Sequence, residues 1–197
     1  MRSLLKYLLK PLLIMSGVMI IVQLQACVGI VAAGGAGAAV AVDRRSAGTI
    51  VDDEAIEFKA SNAIFADDDL GKKAHINITS YNYVLLLTGE TPTAAMRDRA
   101  VDIARHIDKV RKVYNEIMVA QPTTMKSRST DTWITAQIKA KLLGNKEVSA
   151  PNVKVVTENR TVYLLGLVTH TEANAATETA RYVDGVARVI ALFEYQD

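Results

Sequence analysis

Past residue 50 the chain switches between helical and strand-like hydrophobic spacing, and it does so twice in the same order. Ile56, Ala60 and Ile64 recur at i, i+4, i+8, and Ile134, Ile138 and Leu142 repeat that spacing. Such a stripe turns one face of an α-helix toward a core. Acidic or hydroxyl residues suited to N-capping precede each stripe, Asp52-Asp53 in the first copy and Thr130-Asp131 in the second. An alternating segment follows, Ile76-Asn77-Ile78-Thr79 against Val153-Lys154-Val155-Val156. Next comes an apolar run ending in glycine, Val84-Leu85-Leu86-Leu87-Thr88-Gly89 against Val162-Tyr163-Leu164-Leu165-Gly166. Asn82 and Asn159 stand between the paired runs, and asparagine accepts the positive φ of a tight turn, so each pair predicts a β-hairpin. A small-residue helix then carries Met96, Ala100 and Ala104 in one copy and Ala173, Ala176 and Ala180 in the other. Val113–Ile117 and Arg188–Phe193 close the copies as strands.

The two strand-ending glycines lie 77 residues apart, as do Ile76 and Val153, so the repeat runs through the hairpin without a gap. The expected organisation is a leader over residues 1–26, a tether over 27–48, a first module over 49–119, a linker over 120–129 and a second module over 130–197. The order helix, strand, strand, helix, strand resembles the BON (bacterial osmotically inducible and nodulation) domain. Gly89, Gly166, the alanine-rich second helix and Asp184-Gly185-Val186-Ala187-Arg188-Val189 carry the resemblance. It implies an α+β fold of two tandem αββαβ modules, each a small three-stranded sheet packed by two helices. The first copy departs from the pattern at Lys109, where the second has Gly185, so a looser helix end or a different turn is expected there.

The N-terminus has another logic. Arg2, Lys6 and Lys10 precede an apolar run from Leu12 to Val22, and Leu24-Gln25-Ala26-Cys27 follows. A basic start, a short apolar segment and small residues at the cut site describe a secretory signal. The tetrapeptide resembles a bacterial lipobox, which implies cleavage before Cys27 and lipidation of the only cysteine in the chain. A retained membrane anchor is the competing reading, because no charge occurs between Leu12 and Val42. The Gly/Ala composition after Val28 suits a tether better. Val28 stands where the inner-membrane retention signal of enterobacterial lipoproteins has Asp, and that resemblance implies the periplasmic face of the outer membrane.

Charge sharpens this division. The formal net charge of +2 resolves into +4 over residues 1–45, −3 over 46–122 and +1 over 123–197, and removal of residues 1–26 leaves −1. The basic excess belongs to the leader and is no argument for nucleic acid. His75, His106 and His170 show no metal-ligand spacing, no serine lies in a nucleophile elbow, and Asp67-Asp68-Asp69 lacks the remainder of a calcium loop and reads as a solvated turn. The residues predict no catalytic group, metal or cofactor.

One feature suggests binding. With Ile134, Ile138 and Leu142 facing inward, Trp133, Ala136, Ala140 and Leu143 form a second apolar face, flanked by Lys139 and Lys141. An indole at the edge of an apolar strip among lysines suits a bilayer interface. The alternative is burial of Trp133 and Leu143 between the modules. The corresponding face of the first copy has Ala55, Phe58 and Phe65 among Asp52, Asp53, Glu54 and Glu57, a surface that anionic lipid would repel. The family resemblance implies phospholipid binding through this helix of the second module. The expectation is a non-enzymatic outer-membrane lipoprotein that binds anionic phospholipid (phosphatidylglycerol or cardiolipin) through Trp133, Ala136, Lys139, Ala140, Lys141 and Leu143. It would support envelope integrity, including at the division site. The rival is a scaffold whose faces bind outer-membrane assembly proteins. Mass spectrometry of the mature protein should find an acylated Cys27 at the N-terminus; an intact Met1 would overturn the lipoprotein reading.

Overall fold

The computed structural model describes residues 43–197, so the leader, Cys27 and most of the expected tether lie outside the described residues. The first module runs α1 (Ala47–Phe65), α2 (Asp68–Lys73), β1 (His75–Tyr81), β2 (Val84–Thr91), α3 (Ala94–Arg105) and β3 (Lys112–Val119). The second runs α4 (Met125–Gly144), a 3-10 turn at Ala150–Asn152, β4 (Val153–Glu158), β5 (Thr161–Val168), α5 (His170–Arg181) and β6 (Arg188–Tyr195). In each three-stranded sheet the middle strand pairs antiparallel with its predecessor and parallel with its successor. Ile76 faces Gly89 across one hairpin and Val153 faces Gly166 across the other, the same register. A Cβ at either glycine would collide with backbone, the carbonyl oxygen of His75 or that of Asn152.

The two long helices begin earlier than the residue pattern suggests. Helix α1 takes in Ala47 and Gly48, assigned above to the tether, and α4 takes in residues 125–129, assigned to the linker. Their caps are hydroxyls: Ser46 Oγ accepts the Thr49 N–H at 3.0 Å, and Thr124 Oγ1 accepts that of Ser127 at 3.3 Å. Asp53 and Asp131, expected at the caps, instead lie inside α1 and α4 and are buried. Asp53 accepts the backbone N–H groups of Asn82 and Tyr83 at 2.7 and 2.8 Å. Asp131 accepts those of Asn159 and Arg160 at 2.9 and 2.8 Å. All four turn residues have φ between 45° and 66°. Such a hairpin turn leaves its two N–H groups without ladder partners, and a carboxylate on the adjacent helix satisfies both.

Two further expectations are corrected. Asp67-Asp68-Asp69 is no solvated turn: Asp67 caps α2 by accepting the N–H groups of Asp69 and Leu70, and Leu70 is fully buried. Lys109 does not loosen its helix end. Its φ of 68° reproduces the left-handed turn that Gly185 makes at 89°, and its ammonium lies 2.6 Å from Asp52.

Both faces of each middle strand are covered, and every residue of β2 is buried. Leu85 and Leu87 point to the helices of the first module, with Ile56, Ile64, Leu70, Ala100 and Ala104. Val162 and Leu164 do the same in the second, with Ile134, Ile138, Leu142 and Ala176. The opposite faces meet each other: Tyr81 and Leu86 pack with Tyr163 and Leu165, edged by Tyr114, Val156, Ile190 and Leu192. Burial of each such leucine contributes about 1.5–3 kcal/mol. Arg44, ahead of α1, reinforces the junction by reaching the Leu167 carbonyl and both oxygens of Glu172, at 2.6 and 3.0 Å. That guanidinium bond, more than any other cause, holds the Glu172 carboxyl down to about 2.

Asp131→Ala should destabilise the protein by about 2–4 kcal/mol in chemical denaturation, because two turn N–H groups lose a charged acceptor. Glu172→Gln keeps the capping-box geometry of α5 and removes the charge. Because the folded carboxyl is depressed from 4.5 to about 2, its contribution is complete above about pH 4.5 and disappears as pH falls toward 2. The denaturation midpoints of Glu172→Gln and the parent should therefore differ at pH 7 and converge near pH 2.

Candidate membrane-facing surface

Helix α4 presents Ile134, Ile138 and Leu142 to its core and everything expected of the second face to solvent. Trp133 is 51% exposed and Leu143 75%, so neither is buried between the modules. Ala136, Lys139, Ala140 and Lys141 are exposed as well. The earlier start of α4 adds Met125, 72% exposed, and Lys126 to the same side. At 1.5 Å per residue the helix offers a strip about 30 Å long. Its single acidic residue, Asp131, is turned inward against the hairpin, so the exposed side carries basic residues and no acid. Lys141 also donates to the Tyr182 carbonyl at 3.3 Å, bringing an exposed tyrosine beside the helix end. Lys139, Leu142 and Leu143 border a shallow cleft of about 260 Å³, completed by Ala150, Pro151 and Val153. Among the described residues no helix is long and apolar enough to cross a membrane.

The sequence matches a known module. A family model described as the BON domain matches residues 52–121 and again 130–197. Outer membrane lipoprotein DolP of Haemophilus influenzae is 42% identical over 190 residues, covering 96% of this chain and 97% of the relative. The chain belongs to the BON-domain family, as an outer-membrane lipoprotein of the DolP type. The 21 kDa hemolysin of Actinobacillus pleuropneumoniae is 43% identical, covering 78% of this chain and 79% of that protein. Osmotically-inducible protein Y of Escherichia coli is 32% identical, covering 72% of each.

The counterpart of the strip in the first module (BON1; the second is BON2) differs from its expected character. Val51, Phe58 and Phe65 are exposed along α1, but the acidic surround is largely spent. Asp53 is buried and paired with Arg45, Asp52 pairs with Lys109, and Asp67 pairs with Arg99. Glu57 accepts the Ser80 N–H and lies 3.7 Å from Lys154. Only part of the repulsion expected from the charge count therefore faces outward.

Residue patterning missed a polar group where BON1 meets BON2. His75 and Glu90 face each other across β1 and β2, and Glu158 ends β4 opposite them. Glu90 is 1% exposed; its Oε2 accepts the backbone N–H and the hydroxyl of Thr123 at 3.1 and 3.3 Å. Glu158 Oε2 accepts from Asn77 at 2.6 Å, and its Oε1 lies 3.8 Å from His75 Nε2. Burial, assisted by the Glu90 and Asp131 charges, pushes the Glu158 carboxyl up to about 7. Burial first, and Arg128 next, hold the His75 imidazole below its usual value. The residues are 15, 68 and 83 positions apart in the chain, a spacing no local motif carries.

Proposed function

We propose that the protein is a non-enzymatic periplasmic lipoprotein, anchored through Cys27, whose BON2 helix α4 docks onto anionic phospholipid such as phosphatidylglycerol or cardiolipin. The observation that carries this reading is the composition of the exposed α4 side: Trp133, Met125, Ala136, Ala140 and Leu143 interleaved with Lys126, Lys139 and Lys141, and no acidic side chain. The indole sits at the headgroup boundary and Met125 and Leu143 enter the acyl margin, while each ammonium near the surface contributes about 1 kcal/mol. The cleft beside Leu143 gives room for part of a lipid chain or headgroup. Lipidation holds the chain to one leaflet, and the helix adds a weaker contact that depends on lipid composition. The protein would then collect where anionic lipid is enriched, the division site included, and support outer-membrane integrity there.

A second contact for a protein partner is favoured by α1 of BON1. Its exposed Val51, Phe58 and Phe65 stand beside Glu54 and Lys59, an apolar face without the basic excess of α4 and so better suited to an envelope assembly protein than to anionic lipid.

With the chain from Val28 onward, Trp133→Glu should bind vesicles containing phosphatidylglycerol at least about tenfold more weakly than the parent. Parent binding should fall with salt and be lost on purely zwitterionic vesicles. Phe58→Glu should leave it unchanged. Equal binding by Trp133→Glu and the parent would place the lipid contact elsewhere.

A further inference from the structure

The polar group between BON1 and BON2 is built like a metal site. His75, Glu90 and Glu158 each offer one ligand atom, and those atoms lie within 4.8 Å of one another. Each carboxylate is held at one oxygen and free to coordinate through the other. Thr123 fixes Glu90 Oε2, and Glu90 Oε1, wholly buried, has no hydrogen-bond partner among the described residues. Asn77 and Thr88 fix Glu158 Oε2, while Oε1 faces the His75 imidazole. A carboxylate oriented by hydrogen bonds at its outer oxygen is the usual support around a bound metal. A buried oxygen without a donor, beside a second carboxylate, calls for a cation.

The neighbouring charges are of both signs. Asp131 adds a third carboxylate near the cleft. Arg128, a cation on the same cleft, makes no ion pair with Glu90 or Glu158 among the described residues; its Nη2 donates to the Thr123 carbonyl and its buried Nε has no hydrogen-bond partner. His75 and Glu158 open onto a cleft of about 310 Å³ that also borders Arg128, Thr132 and Thr135, a route for an ion and its waters.

We propose that the BON1–BON2 junction binds one divalent transition-metal ion of the zinc class through His75 Nε2, Glu90 Oε1 and Glu158 Oε1. Water from the cleft completes the coordination. Zinc–ligand distances of about 2.0–2.2 Å place tetrahedral neighbours about 3.3 Å apart, against 3.8 Å between His75 and Glu158 and no more than 4.8 Å between any two of the three ligand atoms. Calcium and magnesium favour all-oxygen shells with more ligands, whereas an imidazole with two carboxylates suits zinc or manganese. Two ligands come from BON1 and one from BON2, so the ion would fasten the modules to each other. The lipid contact of α4 is not needed for this site.

The test uses the full-length lipoprotein in detergent, stripped with EDTA, dialysed and titrated with ZnCl2 in calorimetry against a competing chelator. The expected result is uptake of one equivalent, with a raised thermal midpoint. Glu90→Gln, nearly isosteric and still able to accept from Thr123, should weaken binding at least about 100-fold and abolish the thermal shift. His75→Gln, at a partly exposed strand end, should do the same and serves if Glu90→Gln does not fold. His170→Ala removes the exposed His170–Asp197 pair and should change zinc affinity less than about threefold. Failure of the stripped, folded parent to take up stoichiometric zinc would overturn the site. Parent-like binding by either ligand variant, or loss of binding in His170→Ala, would overturn it too.

Discussion

The central strand of each module must be buried on both faces, and one module has helices for only one of them. Leu85 and Leu87 find cover under α1 and α3, and Val162 and Leu164 under α4 and α5, but Leu86, Tyr163 and Leu165 would face water in an isolated module. An apolar run of that kind belongs to a strand covered on both sides. The second copy supplies the cover, and sheet packs on sheet through a cluster of leucines and tyrosines. With the sheets facing each other, α1 and α4 are left on the outside, free to carry exposed Phe58 and Trp133. The tandem arrangement, the exposed helices and the polar junction all follow from that one requirement.

Inside each module a second constraint sets the position of the long helix. A two-residue turn with both residues at positive φ needs an acceptor for its N–H groups, and Asp53 and Asp131 provide it from the same position in equivalent helices. Burying an acidic side chain is costly unless it is hydrogen-bonded, and here the bonds are to backbone that has no other partner. One carboxylate thus docks helix to hairpin and removes a negative charge from the surface of α4. The clamp and the character of the exposed strip are linked for that reason: were Asp131 outward, the strip would carry an acid beside Trp133.

The copies share a frame and diverge on their outer faces. BON1 keeps the left-handed turn after α3 with a lysine in place of glycine, and that lysine pairs with Asp52. It also inserts α2, capped by Asp67 and pinned by Leu70. BON2 replaces that helix with a loop and a 3-10 turn containing Pro151, which opens the cleft beside Leu143. These changes leave the β-sheet register untouched and alter what each module offers its surroundings.

Most of the local elements were legible in residue spacing, though α2 and the first turns of α1 and α4 were not. Period-four stripes placed the buried faces of α1 and α4, the turn asparagines and the paired glycines marked the hairpins, and the alanine-rich segments marked α3 and α5, because each depends on neighbours a few residues away. The strands expected to end at Gly89 and Gly166 run on to Thr91 and Val168. The exposed set on α4 was readable from helical angle alone. Long-range packing set the rest. Capping moved from Asp53 and Asp131 to Ser46 and Thr124 because the carboxylates had a better use against turns 28 to 30 residues away. Charge counts along the chain could not tell buried or paired acids from free ones. His75, Glu90 and Glu158 meet only because two sheets pack face to face, and no spacing within the chain encodes that approach.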